Sequence, residues 1–331
     1  MKALVLLSGG LDSTLAARLS QELGLQLIAF NTVSPFCTCA KLSRSGGCLH
    51  SAGSAASMLG LRLVSVDVAS DLLEIIRRPR HGFGSHMNPC IDCRILLFCK
   101  AREAMAHEGA SFIITGEVVG QRPMSQKTQT LRLIEREAGL EGLVVRPLSA
   151  KILQPTLPER RGWIDRERLM GINGRSRQEQ MRMASEFGIN DYPCPAGGCL
   201  LTDPLFSLRI RDLVKHEQLT VGNVRLSKLG RYFRLSPRTF LIVGRNQSEN
   251  ERIERLWGEG DCLFQPPDIA GPTSLARGEC DEGVLEKACR ITARYCDLAA
   301  GESARILVKN SSRHTRHSLP ARDPEIASLR V

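Results

Sequence analysis

Six residues near the start of the chain have the composition of a phosphate-binding turn. They read SGGLDS, from Ser8 to Ser13, and directly follow an apolar run, Ala3 to Leu7. Two glycines allow a tight turn that brings backbone N–H groups to an anion, and the start of a helix adds a positive dipole. No GK[ST] ending follows, so the turn lacks the lysine that holds the β and γ phosphates in a Walker loop. The sequence therefore predicts a nucleotide site of another kind.

This turn resembles the SGGxDS signature of PP-loop ATP pyrophosphatases, which cleave ATP between its α and β phosphates. The resemblance implies that Asp12 is catalytic and helps to hold Mg²⁺, and that the serines contact phosphate oxygens. A second segment, Thr115 to Gln126, reads TGEVVGQRPMSQ and resembles the TGExxGQxxSQ segment of tRNA 4-thiouridine synthases. Together the two resemblances imply that ATP is bound by Ser8, Gly9, Gly10, Asp12, Ser13, Thr115, Gly116 and Gln121.

The second segment matches its family pattern incompletely. Glu117, Gln121 and Gln126 fit, whereas Arg122, Pro123 and Met124 replace the shorter side chains usual there. Ligands bind at the carboxyl ends of parallel strands, so we expect this segment at the nucleotide site. The alternative is a loop without a role.

Paired cysteines indicate metal or sulfur chemistry, because the chain shows no export signal and the cytosol keeps thiols reduced. The stretch NPCIDC, Asn88 to Cys93, resembles the NPxxxC segment of tRNA 2-thiouridylases, which places Cys93 on the catalytic thiol. It also resembles the CxxC of thiolation enzymes that carry an iron–sulfur cluster. The latter resemblance implies a [4Fe-4S] cluster on Cys90, Cys93 and Cys199 (or Cys194), with Cys93 and Cys199 as catalytic cysteines.

Two other uses of these thiols stay open. One is a structural zinc ion on Cys90, Cys93, Cys194 and Cys199, although the C-x4-C spacing of the second pair is unusual for zinc. The other is a persulfide relay, in which one cysteine attacks and another resolves. No spacing rule separates these alternatives.

A second group of cysteines precedes this one. Cys37, Cys39 and Cys48, with His50 nearby, have residue types that bind zinc. We expect either a Zn²⁺ site at these three cysteines or three buried thiols in a loop.

The chain is basic, with a formal charge of +10 over 331 residues and an excess of Lys and Arg in both halves. Nucleic acid is the natural partner of such a surface, because each cation that meets a phosphate releases condensed counterions. Arginines are frequent over 158–182, and we expect Arg175 and Arg177, with Arg122, to contact RNA. A solvated charged face is the alternative.

A basic segment in the last third also points to RNA. It reads RYFRLSPRTFLIVGRNQSENERIERL, Arg231 to Leu256, and resembles the RNA-binding domain of the NFACT ribosome quality-control proteins. The resemblance implies that Arg231, Arg234 and Arg245 contact phosphates. Alternating basic and apolar residues are also typical of any half-exposed strand.

The strands and helices that position these residues are predicted from the spacing of apolar residues along the chain. The first 150 residues alternate apolar runs with helical patterns, which predicts a parallel sheet. Its strands are expected at Ala3–Leu7, Gln26–Val33, Arg62–Val68, Ala110–Gly116 and Leu143–Leu148. In the second half, short strands are expected at Val224–Leu226, Tyr232–Leu235, Phe240–Val243 and Arg305–Val308, with a helix over Asp281–Ala299.

The predicted fold class is α/β, a Rossmann-like parallel sheet of the PP-loop (adenine nucleotide α-hydrolase-like) type with a smaller α+β domain. We expect a catalytic domain over 1–200, a linker helix over 201–220, an NFACT-like RNA-binding domain over 221–310 and a mobile tail over 311–331. No apolar stretch reaches the roughly 18 residues of a membrane span, which predicts a cytoplasmic protein.

The function that these resemblances imply is ATP-dependent thiolation of a uridine in tRNA, at position 2 or 4 of the base. The expected partners are tRNA and a sulfur donor, either a cysteine desulfurase or free sulfide, and a homodimer is a candidate assembly. Two alternatives stay open. One is an amide- or amidine-forming enzyme of the tRNA lysidine synthase type, and the other is a non-catalytic RNA-binding protein that senses nucleotide.

Overall fold

The alternating pattern of the first half produces a five-stranded parallel sheet, which confirms the predicted α/β class. The computed structural model describes residues 1–37, 47–190, 192, 198–310 and 313–331, and it divides into two compact units, Met1–Thr202 and Asp203–Val331. The side chains of Cys39, Cys48 and Cys194 lie outside the described part. The strands of the first unit are β1 (Lys2–Leu6), β2 (Gln26–Val33), β3 (Leu63–Asp67), β4 (Phe112–Thr115) and β5 (Val144–Val145).

The order of this sheet places a ligand crevice next to β1. The strands lie in the order β3-β2-β1-β4-β5, all pairs being parallel, and Leu4 of β1 faces Ile28 on one side and Ile113 on the other. The chain reverses its direction of winding between β1 and β4, and the carboxyl ends of two such strands border a crevice. The phosphate turn follows β1 and the TGE segment follows β4, so both border this crevice.

Helices cover the sheet because each has an apolar face. In the first helix Leu11, Leu15 and Leu19 are buried at four-residue spacing, and Gly24 follows the end of the helix with a positive φ of 76°. The helices of the first unit are α1 (Leu11–Glu22), α2 (Gly47–Met58), α3 (Ala69–Arg77), α4 (Cys90–His107), α5 (Thr128–Ala138), α6 (Leu157–Arg160) and α7 (Gln178–Glu186), with 3-10 turns at Ala150–Ile152, Arg166–Arg168 and Leu200–Thr202.

The second unit is built on a six-stranded antiparallel sheet, in the order β11-β10-β8-β9-β7-β6. Its apolar core includes Phe233, Leu241 and Phe264, which are fully or almost fully buried. The strands are β6 (Arg231–Ser236), β7 (Thr239–Val243), β8 (Cys262–Gln265), β9 (Ser274–Arg277), β10 (Ala304–Lys309) and β11 (Arg313–Ser318). The helices are α8 (Pro204–Lys215), α9 (Val221–Ser227), α10 (Gln247–Arg255), α11 (Glu282–Arg294) and α12 (Asp323–Leu329).

Two segments of the second unit differ from the expectation. Val224–Leu226, expected as a strand, lies in helix α9, because Thr220 caps that helix by accepting the Asn223 N–H at 3.2 Å. Where an irregular tail was expected, strand β11 pairs with β10 from Arg313 to Ser318, and helix α12 follows. Among the described residues no helix combines the length and apolar character needed to span a bilayer.

Candidate functional site

The turn after β1 presents an uncapped helix start. Gly10 is the N-cap of α1 and has no side chain to cap the first N–H groups, so those donors point toward the crevice. The serines brace the turn: Ser13 Oγ donates to the Gly10 carbonyl at 2.8 Å and lies 3.1 Å from Ser8 Oγ. An anion at this helix start would be held by backbone N–H groups and by the helix dipole.

Two glycines allow the elements around the turn to approach closely. A Cβ on Gly9, whose φ is 78°, would lie 2.4 Å from the backbone of Ser51. A Cβ on Gly116 would lie 2.5 Å from the backbone of Asp12 and Ser13. The end of β4 therefore packs directly against the phosphate turn, which explains the glycine in the TGE segment.

Replacing Gly116 with alanine should displace the phosphate turn and lower ATP affinity at least ~10-fold. Overpacking of this kind costs about 1–3 kcal/mol, and the backbone that must move is the one that binds the anion. Titration calorimetry with ATP measures the effect. The matched control is Gly53→Ala in α2, where a Cβ meets no atom within 4 Å and ATP affinity should be unchanged. Equal ATP affinity in both variants would contradict this account of the turn.

Three segments meet at the carboxylate of Asp12. Gln121 Nε2 donates to Asp12 Oδ2 at 3.1 Å, and Arg177 Nη2 lies 3.6 Å from the same oxygen. The other oxygen, Asp12 Oδ1, is buried and accepts no hydrogen bond from the residues that the structure describes. A buried carboxylate oxygen without a partner is costly, and a divalent cation would satisfy it.

A single buried hydroxyl places Arg177 in this site. Ser149 Oγ accepts from the Val119 N–H at 3.1 Å and donates to the Ile172 carbonyl at 2.7 Å. Val119 in turn forms a parallel bridge with Asn173, and its carbonyl accepts from the Gly174 N–H at 2.8 Å. The segment that contains Arg175 and Arg177 is thus held against the TGE loop. Arg175 is exposed, whereas Arg177 faces Asp12.

Glu117 is buried and is paired with two arginines. It is 1% exposed and accepts from Arg94 Nη2 at 2.8 Å and from Arg146 Nε at 3.0 Å. Arg146 is also paired with Glu135. The two arginines neutralise a carboxylate that burial alone would disfavour, so Glu117 fixes the loop after β4.

Arg122 lies between the phosphate turn and the first thiols. Desolvation lowers the pKa of its guanidinium, as does the nearby positive charge of Arg94, whereas Cys90 and Asp12 act in the opposite direction. Arg122 is therefore within electrostatic reach of both Asp12 and Cys90. Arg122 thus responds electrostatically to a residue of the phosphate turn and to one of the first thiols.

The cysteines at the start of α4 lie on one face of its first turn. Cys90 and Cys93 are three residues apart, and Asn88 Nδ2 donates to Cys90 Sγ at 3.3 Å. Burial raises the pKa of the Cys93 thiol to about 11, although Arg94 opposes this effect. At neutral pH the thiol is therefore protonated, and a cation or metal ion must offset its burial before it becomes a thiolate.

Cys199 lies beside these thiols. The Met87 N–H, close before Cys90, donates to the Leu201 carbonyl at 3.2 Å. Burial raises the pKa of Cys199 to about 12, and the neighbouring Cys93, Cys90 and Cys37 act in the same direction. Cys199 is therefore within electrostatic reach of Cys90 and Cys93.

Cys37 belongs to this site and was not expected there. It forms an antiparallel bridge with Cys199, and the Leu200 N–H donates to the Phe36 carbonyl at 2.7 Å. In the expected group of Cys37, Cys39 and Cys48, the structure describes the side chain of Cys37 alone. In the described part of the chain, no three His, Cys, Asp or Glu side chains are close enough to hold a metal ion.

The expected RNA-binding arginines of the second unit make different contacts. Arg234 is 12% exposed in its side chain and donates to Asp212 Oδ2 at 3.0 Å and to Gln218 Oε1 at 2.7 Å, which favours a structural role. Arg231 lies over the Tyr295 ring at 4.2 Å. Arg245 pairs with Glu249 but keeps about half of its side chain exposed.

Sequence reasoning missed the buried Arg146 and Asn31 and the half-buried Arg94. Arg94 and Arg146 hold Glu117, and Asn31, at the carboxyl end of β2, has a buried Nδ2 without a hydrogen-bond partner. A polar residue that ends an apolar strand was the available signal for Asn31. Nothing in the local sequence identifies the partners of the two arginines.

Two family models match separate parts of the chain. Residues 1–151 match the model described as thiamine biosynthesis protein (ThiI), and residues 230–328 match the model described as NFACT protein RNA binding domain. The matches confirm both resemblances drawn from the sequence over these ranges. The second match extends past residue 310 and includes strand β11.

The chain is also similar to two curated proteins. One is the "Probable tRNA sulfurtransferase" of Methanosarcina mazei, 32% identical over 121 residues, which are 36% of this chain and 29% of that protein. The other is the "tRNA-specific 2-thiouridylase MnmA" of Pelobacter propionicus, 31% identical over 122 residues, 35% of this chain and 33% of that protein. The matched part of the chain thus spans no more than about a third of the length of these relatives.

Among solved structures, the chain is similar to a 4-thiouridine synthetase in complex with RNA and bound ATP. The identity is 22% and the TM-score 0.38, over 68% of this chain and 53% of that chain.

Proposed function

We propose that this protein uses ATP to adenylate a uridine of tRNA and replaces the carbonyl oxygen of the base with sulfur. The observation that carries the proposal is the position of Arg122, which lies within electrostatic reach of both Asp12 in the phosphate turn and Cys90 in the thiol group. A nucleotide site and a sulfur site that share one arginine can act on the same atom of a substrate.

The phosphate turn supplies the first step. The uridine carbonyl oxygen attacks the α phosphorus of ATP, the bond to the bridging oxygen breaks, and pyrophosphate leaves. N–H groups at the start of α1, with Ser8 and Ser13, bind the phosphate oxygens and stabilise the charge that grows on them. Thr115, Gly116 and Gln121 complete the ATP site, Gln121 by orienting Asp12.

The carboxylate of Asp12 fits a magnesium ion. Its buried Oδ1 accepts no hydrogen bond within the described part of the chain, and carboxylate oxygens are the ligands that Mg²⁺ prefers. A bound Mg²⁺ would neutralise phosphate charge. Gln121 and Arg177 hold the other oxygen and so keep Oδ1 directed toward the nucleotide.

The thiols supply the second step. Sulfur attacks the activated ring carbon, and AMP leaves with the former carbonyl oxygen. Cys90, Cys93 and Cys199 present only sulfur donors, which suit an iron–sulfur cluster, and such a cluster would supply a place to bind sulfide. A persulfide on Cys93 or Cys199 is the alternative carrier. Sulfide or a cysteine desulfurase is the proposed donor.

The RNA is proposed to lie against exposed arginines of both units. Arg175 is exposed in the first unit, and Arg245 and Arg231 are accessible in the second, within the part that matches an RNA-binding domain. Each contact to a phosphate adds affinity without reading sequence. Arg122 and Arg177 are assigned to the nucleotide and its target base.

Product analysis tests the proposed reaction. Protein, ATP, Mg²⁺, sulfide and tRNA that lacks thiouridine should yield AMP, pyrophosphate and a thionucleoside in equal amounts, as measured by chromatography and mass spectrometry of digested tRNA. Omission of tRNA is the control and should suppress AMP formation. Formation of ADP and orthophosphate, or of a modified base without sulfur, would overturn the proposal.

A further inference from the structure

Cys37 and Cys199 lie directly opposite each other on two short antiparallel segments. Next to this pair, the Leu200 N–H donates to the Phe36 carbonyl at 2.7 Å. Cys37 and Cys199 are therefore a non-hydrogen-bonded pair. In such a pair the Cα atoms are about 4.5 Å apart and the side chains are close. That separation falls within the roughly 4.4–6.8 Å that a disulfide spans.

The segment around Cys199 is held on both sides. Leu200 is bonded to Phe36, and the Leu201 carbonyl accepts from the Met87 N–H at 3.2 Å. The Thr202 N–H and hydroxyl both donate to the Cys199 carbonyl, at 3.0 and 2.7 Å. Because the backbone is already paired, the two thiols can meet by rotation of their side chains.

We propose that Cys37 and Cys199 form a reversible disulfide. When the S–S bond forms, the two thiols lose two protons and two electrons, and a disulfide oxidant such as oxidised glutathione accepts them and becomes two thiols. Reduction by a dithiol reverses the step.

While the Cys37–Cys199 disulfide is formed, Cys199 cannot take part in sulfur transfer. This consequence holds whether Cys199 binds a cluster or carries a persulfide, since both uses need its sulfur. Formation of the bond does not depend on the proposed function, whereas its effect on thiolation rests on it. The competing pair is Cys90 and Cys93, because a Cys-x-x-Cys at a helix start also forms disulfides.

Peptide mapping under defined redox conditions tests the bond. The full-length protein is equilibrated in buffers of oxidised and reduced glutathione, its remaining thiols are alkylated, and its peptides are analysed without reduction. The expected result is a linked pair of peptides that contain Cys37 and Cys199 and that separate after treatment with dithiothreitol. Cys37→Ser should abolish the link, and the control Cys296→Ser in the second unit should retain it.

Thiolation measured before and after oxidation provides a second readout. The wild type should lose about tenfold in rate when about nine-tenths of the molecules carry the link, and dithiothreitol should restore it. Cys37→Ser should thiolate after oxidation at the same rate that this variant has before oxidation. A Cys90–Cys93 link in place of the Cys37–Cys199 link, or no link under oxidising conditions, would overturn the proposal. If the reduced wild type does not thiolate at all, the proposed function fails while the mapping still decides the disulfide.

Discussion

Replacing Asp12 with asparagine should abolish formation of AMP and pyrophosphate while the protein stays folded. The change keeps the shape of the side chain and its contact with Gln121, but it removes the negative charge from the buried Oδ1 that we assign to Mg²⁺. Loss of one group that stabilises transition-state charge typically costs about 10²–10³-fold, so the rate should fall at least ~100-fold. Pyrophosphate release in the presence of tRNA measures it.

Asp71→Asn is the matched control for this variant. Asp71 lies in α3, where its carboxylate is 3.7 Å from Lys100 Nζ and about half exposed. The same chemical change there should leave pyrophosphate release within about twofold of the wild type, because exposed ion pairs contribute little. A rate of Asp12→Asn close to that of Asp71→Asn would show that Asp12 does not hold the metal ion.

Replacing Cys93 with alanine should stop thiolation while leaving ATP binding intact. The thiol lies in the first turn of α4, and the groups that influence its pKa are Arg94, Cys90 and Asp92 rather than residues of the phosphate turn. Loss of an essential nucleophile or sulfur carrier lowers turnover by roughly 10³-fold or more. Mass spectrometry of nucleosides from the tRNA measures thiolation, and calorimetry measures ATP affinity.

Cys99→Ala separates the chemical role of Cys93 from the packing of its helix. Cys99 is on the same helix but packs partly buried against an apolar core with Phe98 and Ile113. It should lose some stability, as small cavities do, and should thiolate at the normal rate. If Cys93→Ala also thiolates at the normal rate, the assignment of Cys93 is wrong.

The sheet of the first unit could be predicted because its signal is local. Each strand is a short apolar run before a helical pattern, and β2 was predicted with its observed bounds, Gln26–Val33. The ends of β5 were less certain, since only Val144 and Val145 pair with β4 whereas the apolar run extends to Leu148. The strand ends where its pairing with β4 ends, although the apolar composition continues beyond that point.

The second unit was harder, since its short elements depend on neighbours. Val224–Leu226 alternates apolar and basic residues as a strand does, but the cap at Thr220 selects a helix. Strands β8 and β9 were not predicted, because their four residues each carry too little pattern without the paired strands on either side. Pairing with neighbouring strands therefore determines the secondary structure of segments whose own sequence favours no single state.

The contacts within the site were partly predictable. The motifs around Asp12 and Gln121 identified residues that the structure joins. The pairing of Cys37 with Cys199 could not be predicted, because 162 positions separate them and the intervening chain determines whether they meet. Likewise the ion pair of Arg234 with Asp212 could not be predicted, because the fold of the intervening chain brings them together.

The two hydrogen bonds of the Ser149 hydroxyl connect two segments of the candidate site. The hydroxyl joins Val119, next to the residues that follow β4, to Ile172, next to the segment that ends at Arg177. The same segment carries the exposed Arg175 and Arg177, whose Nη2 lies 3.6 Å from Asp12 Oδ2. In the proposed function, contact of RNA with Arg175 would in this way be coupled to the position of the carboxylate that we assign to Mg²⁺.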